Sequence, residues 1–295
     1  MTADLVTERE PAKREPARVR AGRRRRGTGA KPRLGVLFTV AFFAVLYLPI
    51  GVVVLFSFNA KKSLDVFDGF SLRWYAKFAH DSALTGSVLT SLEISAVAMA
   101  GSVVLGVLLA LGLVRARSRL GRLAGLIMLV PLVTPEIVTG VASLLLFRSV
   151  EVRPSLATVM IAETTFSISY VTVILRARIA AVDTEVEEAA MDLGATRLQA
   201  LRLVTLPLLW PAIAAAGLLV FTMVFDNFVL AFFTSGVSPQ PISVRIYSAI
   251  RFGVEPTINA VGTVLLGVSI LLIVLALVIP LLFRRRGGGL DMFGG

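Results

Sequence analysis

The sequence predicts an all-α membrane protein of six transmembrane helices. Three observations lead there. Of the 295 residues, 56% are hydrophobic and the mean hydropathy is +0.83, too apolar for a single soluble core. The apolar residues gather in six runs, 34–56, 87–114, 121–147, 155–175, 206–234 and 259–283. Each is long enough to cross roughly 30 Å of hydrocarbon at about 1.5 Å per helical residue. The runs are continuous instead of alternating in ten-residue segments, which disfavours a membrane barrel. Lastly, with the N-terminus placed inside, 22 of the 30 Lys and Arg residues fall on the cytoplasmic side. That bias predicts a multi-pass protein of the cell (inner) membrane with both termini cytoplasmic.

The net charge of +11 is therefore a topology signal, and nucleic acid is not an expected partner. Residues 1–33, which include Arg23 to Arg26, are rich in Pro, Arg and Gly without apolar periodicity. They read as a disordered cytoplasmic tail drawn to anionic lipid headgroups. A second short tail covers 287–295, and the six-span body covers 34–286. The absence of cysteine excludes disulfides, Cys-ligated metal and a thiol nucleophile. The only histidine, His80, falls in an exterior loop, so neither a catalytic set nor a metal site is expected. No Gly-x4-Gly-Lys-Ser/Thr phosphate loop occurs, and no cofactor is assigned to this chain.

The elements follow in order. The first run leads through Phe56-Ser57-Phe58-Asn59 into an exterior loop whose Trp74 and Tyr75 suit an interfacial aromatic belt. The second ends at Arg115-Ala116-Arg117, and the tight basic turn to Gly121 predicts antiparallel packing of the second and third spans. The third carries Pro131 and Pro135, each of which removes a backbone N–H and breaks the helix. Such breaks survive in a bilayer only beside protein or a wet cavity. The loop between the fifth and sixth runs, through Gln240-Pro241 and Arg251, has no decided path.

Residues 176–205 differ in composition. Asp183, Glu185, Glu187, Glu188 and Asp192 load the first half with acid, and Arg197 and Arg202 load the second with base. Two short helices hinged at Gly194 fit this pattern, because glycine accepts the positive φ that ends a helix. Leu198, Leu201 and Val204 are expected on the face that lies on the bundle. Pro207 suits the first turn of the fifth span.

Within this segment Glu188-Ala189-Ala190-Met191-Asp192-Leu193-Gly194, followed at the right spacing by Val204-Thr205-Leu206-Pro207, resembles the EAA-x3-G-x9-I-x-L-P loop of ABC importer permeases. The one substitution is Val204 for the usual Ile. The resemblance implies a type I, MetI-like bundle whose cytoplasmic loop docks in a cleft of a separate ATPase. Glu188, Ala189, Ala190 and Gly194 would then form the coupling helix and its turn, with Leu206 and Pro207 closing the motif. Read without the family, Glu188 is an acid at a helix N-terminus, which the helix dipole favours.

Four carboxylates, Glu93, Glu136, Glu163 and Asp226, fall within the spans, and no Lys or Arg accompanies them in the interior. A charge at the centre of a span costs about 2.5–3.5 kcal/mol on insertion scales. An acidic lining attracts cations and repels anions; alternatively, each acid is protonated and hydrogen-bonded between helices. Glu136 follows Pro135 at the helix break. Asp226-Asn227 adjoins Phe221, Phe225 and Phe228, and a carboxylate beside aromatic faces is suited to an alkylammonium.

Residues 35–285 resemble the spermidine/putrescine branch of these permeases at Leu46-Tyr47-Leu48-Pro49-Ile50, Phe56 to Asn59, Trp74-Tyr75, Thr134-Pro135-Glu136-Ile137-Val138 and Phe221 to Gly236. The branch has Ser-Pro-Asp-Ile-Val where this chain has Thr134 to Val138, and paired acids where it has Asp226-Asn227. The resemblance implies uptake of polyamines by alternating access, with a substrate path past Glu136, Glu163, Asp226 and Asn227. It implies three kinds of protein partner: an ATPase dimer that holds ATP and Mg, a second permease subunit, and an external binding protein. A permease for ferric ion, thiamine or a phosphonate, and an intramembrane aspartyl protease, are the competing readings.

Overall fold

The computed structural model describes residues 32–63, 66–115, 118–182, 184–237, 239–252 and 255–287. Both expected tails lie outside the described residues, apart from residues 32–33 and 287. The chain forms two compact units, 1–49 and 50–295. Of the first, residues 32–49 belong to helix α1 (Pro32–Ser57). Its side chains from Val36 to Leu48 are exposed apolar groups, as a lipid-facing helix requires, and Phe43 stacks on Tyr47 one turn later.

The second unit continues α1 and adds α2 (Arg73–His80), α3 (Ser82–Arg115), α4 (Arg119–Ile127), α5 (Val130–Val133), α6 (Glu136–Ser149) and α7 (Leu156–Ala180). There follow α8 (Thr184–Asp192), α9 (Arg197–Ala200), a π turn (Leu201–Thr205), α10 (Leu206–Asp226), α11 (Val229–Thr234), α12 (Ile242–Phe252) and α13 (Pro256–Gly287). Among the described residues five helices are long and apolar enough to cross a membrane. The bent pair α4–α5 and α6 makes a sixth if it is counted as one span.

The core lies where α3, α7 and α10 meet. Ile94, Ala98 and Ala110 of α3 pack with Val159, Val171 and Leu175 of α7 and with Leu209, Ala216 and Val220 of α10. Small residues bring α3 and α7 into near-backbone contact. A Cβ on Gly106 would stand 2.6 Å from Val171 Cγ1 and 3.4 Å from Thr172 N. Packing of this kind replaces the hydrophobic drive that lipid does not supply between spans.

Several expectations are corrected. The second span starts at Ser82, not 87, because Asp81 Oδ1 accepts the orphan N–H groups of Ala83 and Leu84 at 2.9 and 3.0 Å and so caps a longer helix. The break expected at Pro135 is present, so that the third run forms separate helices. Thr134 and Pro135 are extended, since a residue before proline is pushed out of the helical region, and the two halves meet at 108°. The antiparallel pairing of the second and third spans holds only beside the turn: α3 packs mainly on α7 and α10, whereas α6 packs mainly on α11.

The fifth run ends as a helix at Asp226, and α11 resumes after Asn227 and Phe228. Pro207 lies in the first turn of α10, as expected, although α10 continues the helical run that starts at Arg197. The π turn at Leu201–Thr205 lies in the turn before Pro207, where the missing N–H and the ring would disturb α-helical bonding. Trp74 is buried instead of belted at an interface, and its Nε1–H donates to Asn59 O at 2.7 Å. Leu198 is 54% exposed, so of the three apolar residues expected on the bundle face only Leu201 and Val204 are partly covered. The fifth-to-sixth connection is helical, as α12.

Candidate functional site

Both broken spans place their breaks at the same point. Pro135 leaves Glu136 as the first residue of α6 with an acid at the helix N-terminus, where the dipole favours negative charge. Glu136 thus stands at the helix break, as expected, and at a helix end. Asn227 is the extended residue that ends α10, with φ −67° and ψ 119°. Glu163 projects from the second turn of the unbroken α7 and is 1% exposed.

Asn227 joins these three elements. Its Nδ2 donates to Glu136 Oε1 at 2.7 Å and to Glu163 Oε2 at 3.3 Å. Its Oδ1 accepts the Leu230 N–H at 3.1 Å, supplying a partner to an orphan donor at the start of α11. Its carbonyl accepts the Ser243 hydroxyl of α12 at 2.8 Å. The amide orientation follows from this network, since Oδ1 meets a donor and Nδ2 meets two acceptors. One acceptor remains: Glu163 Oε1 is buried and receives no hydrogen bond among the described residues.

The structure thus brings together Glu136, Glu163 and Asn227 and sets the other two acids apart. Asp226 accepts the Ser269 hydroxyl of α13 at 2.9 and 3.2 Å. Glu93 is exposed on α3, on the face opposite the buried Ser91, Ile94 and Ser95. The expected aromatic lining is also redistributed: Phe225 is buried in the core, while Phe228 stands 4.6 Å from Tyr247 of α12 and 5.3 Å from Phe232. Phe232 in turn edges an open pocket of about 430 Å³ lined also by Ser235, Gln240 and Ser248.

At the opposite end, α8 carries Glu188 and Ala189 exposed and Ala190 partly covered. Gly194 has φ +94°, and the chain turns there into α9, whose N-cap Thr196 forms a capping box with Gln199. Leu206 is partly covered and Pro207 exposed. Sequence reasoning passed over Glu187. One residue along a helix turns the side chain by about 100°, so while Glu188 faces outward Glu187 faces the spans. Arg115 Nη2 donates to Glu187 Oε1 at 2.5 Å, and the Thr205 hydroxyl donates to Oε2 at 3.0 Å. The run of acids signalled negative charge but not which member turned inward.

Known proteins place this geometry. The family described as binding-protein-dependent transport system inner membrane component matches residues 102–286. The putrescine transport system permease protein PotI of Escherichia coli (strain K12) is 38% identical over 236 residues, covering 76% of this chain and 83% of that protein. The spermidine/putrescine transport system permease protein PotC of Haemophilus influenzae is 34% identical over 239 residues, 81% of this chain and 93% of that one. Among solved structures, a bacterial ABC transporter involved in the import of the acidic polysaccharide alginate aligns with a TM-score of 0.64 at 17% identity, over 88% of this chain and 96% of that chain. The inward-facing MetNI methionine ABC transporter aligns with a TM-score of 0.56 at 18% identity, over 69% and 95%. At those identities the structural likeness establishes the fold, a MetI-like permease bundle. With the family match spanning more than half its length, the chain belongs to the inner membrane components of binding-protein-dependent transport systems.

Proposed function

We propose that this chain is the permease subunit of an ABC importer that carries polyamines, putrescine or spermidine, into the cell. The observation that carries the reading is the convergence of Glu136 and Glu163, from a broken and an unbroken helix, on a single amide NH2. An alkylammonium offers three donors, enough to replace Asn227 on both carboxylates and to reach the unpartnered Glu163 Oε1. An anionic solute meets two carboxylates and no base there. The relatives' names, putrescine and spermidine permeases, support the same substrate class.

In this reading both termini are cytoplasmic. An external binding protein delivers the polyamine at the α11–α12 end, a second permease completes the path, and an ATPase dimer holding ATP and Mg engages α8 through Glu188, Ala189 and Ala190. The Gly194 turn and the Leu206-Pro207 start of α10 fix the geometry of that contact. Asp226, bonded to Ser269, stands beside the path without contacting the Glu136–Asn227–Glu163 cluster.

The test is uptake of labelled spermidine and putrescine by the full complex in proteoliposomes. Glu136→Gln and Glu163→Gln keep size and hydrogen bonding but remove charge. Each is expected to lower uptake about tenfold or more, since a charged hydrogen bond contributes about 1.5–3 kcal/mol. Unchanged uptake in both variants, with assembly intact, overturns the assignment of the path.

A further inference from the structure

We propose that Glu187 is the residue that transmits ATPase closure from α8 to the spans, acting as a two-armed link. The idea rests on the reading of α8 as the ATPase contact and adds what lies behind it. One carboxylate oxygen is held by Arg115, the last residue of α3; the other is held by Thr205, at the end of the π turn that leads into α10. A single side chain on the docking helix therefore grips two spans at once.

Both spans lead to the cluster on the far side. α10 runs 21 residues from Leu206 to Asp226, roughly 30 Å at 1.5 Å per residue, and is followed at once by Asn227. α3 packs along α10 and α7. Displacing Glu187 thus pushes on one end of a helix whose other end carries the amide that occupies Glu136 and Glu163.

The surroundings favour a link over a simple staple. The Glu187 side chain is 22% exposed and that of Arg115 47% exposed, and partly exposed ion pairs add little to stability. Behind α8 lies a cavity of about 40 Å³ lined by Ile179, Val182, Val186, Val204 and Leu208. The inner face of α8 is thus incompletely packed against the α10 start, and the polar grip of Glu187 supplements the apolar contact there. A conventional α-helical turn at Leu201–Thr205 would rotate Thr205 relative to α8, so the π turn sets the second arm in place.

The experiment uses the complete transporter in proteoliposomes with its binding protein loaded with spermidine. Uptake per ATP hydrolysed is measured for Glu187→Ala, for Thr205→Val and for the exchanged pair Glu187→Arg with Arg115→Glu. Glu187→Ala is expected to lower uptake per ATP about tenfold, within the usual range of coupling between sites, while the ATPase still co-purifies. Thr205→Val, which removes one arm and keeps the size, gives a smaller loss. The exchanged pair regains most of the coupling lost in Glu187→Ala. Wild-type uptake per ATP in both single variants overturns the link, as does an exchanged pair no better than Glu187→Ala. Loss of the ATPase from the Glu187→Ala complex overturns it as well, since Glu187 would then be a docking residue. The chain has no cysteine, so cross-linking through Glu188→Cys tests the α8 contact separately: no cross-link to the ATPase means that the docking assignment has failed and the link with it, whereas a cross-link beside wild-type uptake per ATP means that the link alone has failed.

Discussion

Asn227 Nδ2 lies 2.7 Å from Glu136 Oε1, across 91 residues of sequence, and the same nitrogen reaches Glu163. Removing that donor leaves a half-buried and a fully buried carboxylate without their shared partner. Asn227→Ala is expected to cost about 1–3 kcal/mol, read as a lower thermal midpoint in detergent, and to reduce spermidine uptake. Asp226→Asn, one residue away but turned to Ser269, should change uptake by no more than about twofold. Equal losses in the two variants would contradict the separation of these neighbours.

A second expectation concerns Gly236, beyond α11. A Cβ there would stand 2.7 Å from Pro154 O and 3.5 Å from Ser155 Cα, backbone atoms fixed by the capping box of α7. The adjacent bond from Thr158 Oγ1 to Thr234 O, 2.8 Å, holds the same junction. Gly236→Ala should destabilise by about 1–3 kcal/mol, seen as reduced folded yield and a lower midpoint.

Gly194 provides a contrast, because nothing lies within 4 Å of the Cβ it lacks. Its φ of +94° alone makes a side chain unfavourable, by about 1–3 kcal/mol. Gly194→Leu should therefore leave membrane insertion intact while misplacing α8 and lowering uptake per ATP. Wild-type uptake would show that the turn is dispensable.

The end of the bundle that carries Lys62, Lys77 and Glu255 yields a pH expectation. Lys62 and Lys77 donate to the two oxygens of Glu255 at 2.8 and 2.7 Å, and these bonds lower its pKa from the usual 4.5 to about 2. A depressed carboxyl contributes stability that is present above pH 4.5 and is lost as pH falls toward 2. Opening of α2, read as hydrogen exchange corrected for its intrinsic pH dependence, should thus be unchanged between pH 7 and 5 and should rise only below pH 4. Glu255→Gln should raise it above pH 4, where the carboxylate is charged, and make little difference near pH 2. Side-chain exposure of 41% at Glu255 keeps the effect local and sensitive to salt.

The helical class, the number of spans and the helix break near Pro135 were legible because continuous apolar runs and prolines act locally. So was the turn at Gly194, where no other residue is comfortable at positive φ. What stayed hidden depended on rotation and distance. Glu187 and Glu188 are adjacent acids, and only the packed helix decides which one meets Arg115. Asp226 and Asn227 are likewise adjacent, yet the end of α10 falls between them and sends their side chains to different helices. Trp74 looked interfacial by type, and became interior because Asn59, fifteen residues earlier, offers its carbonyl to the indole.

The near-contact of Gly106 with Val171 leaves α3 and α7 no room to approach more closely there, since a closer approach drives a methyl into peptide backbone. We expect those two helices to move as one stiff spine, and the motion of transport to be taken up at the two interrupted spans, at Thr134-Pro135 and Asn227-Phe228.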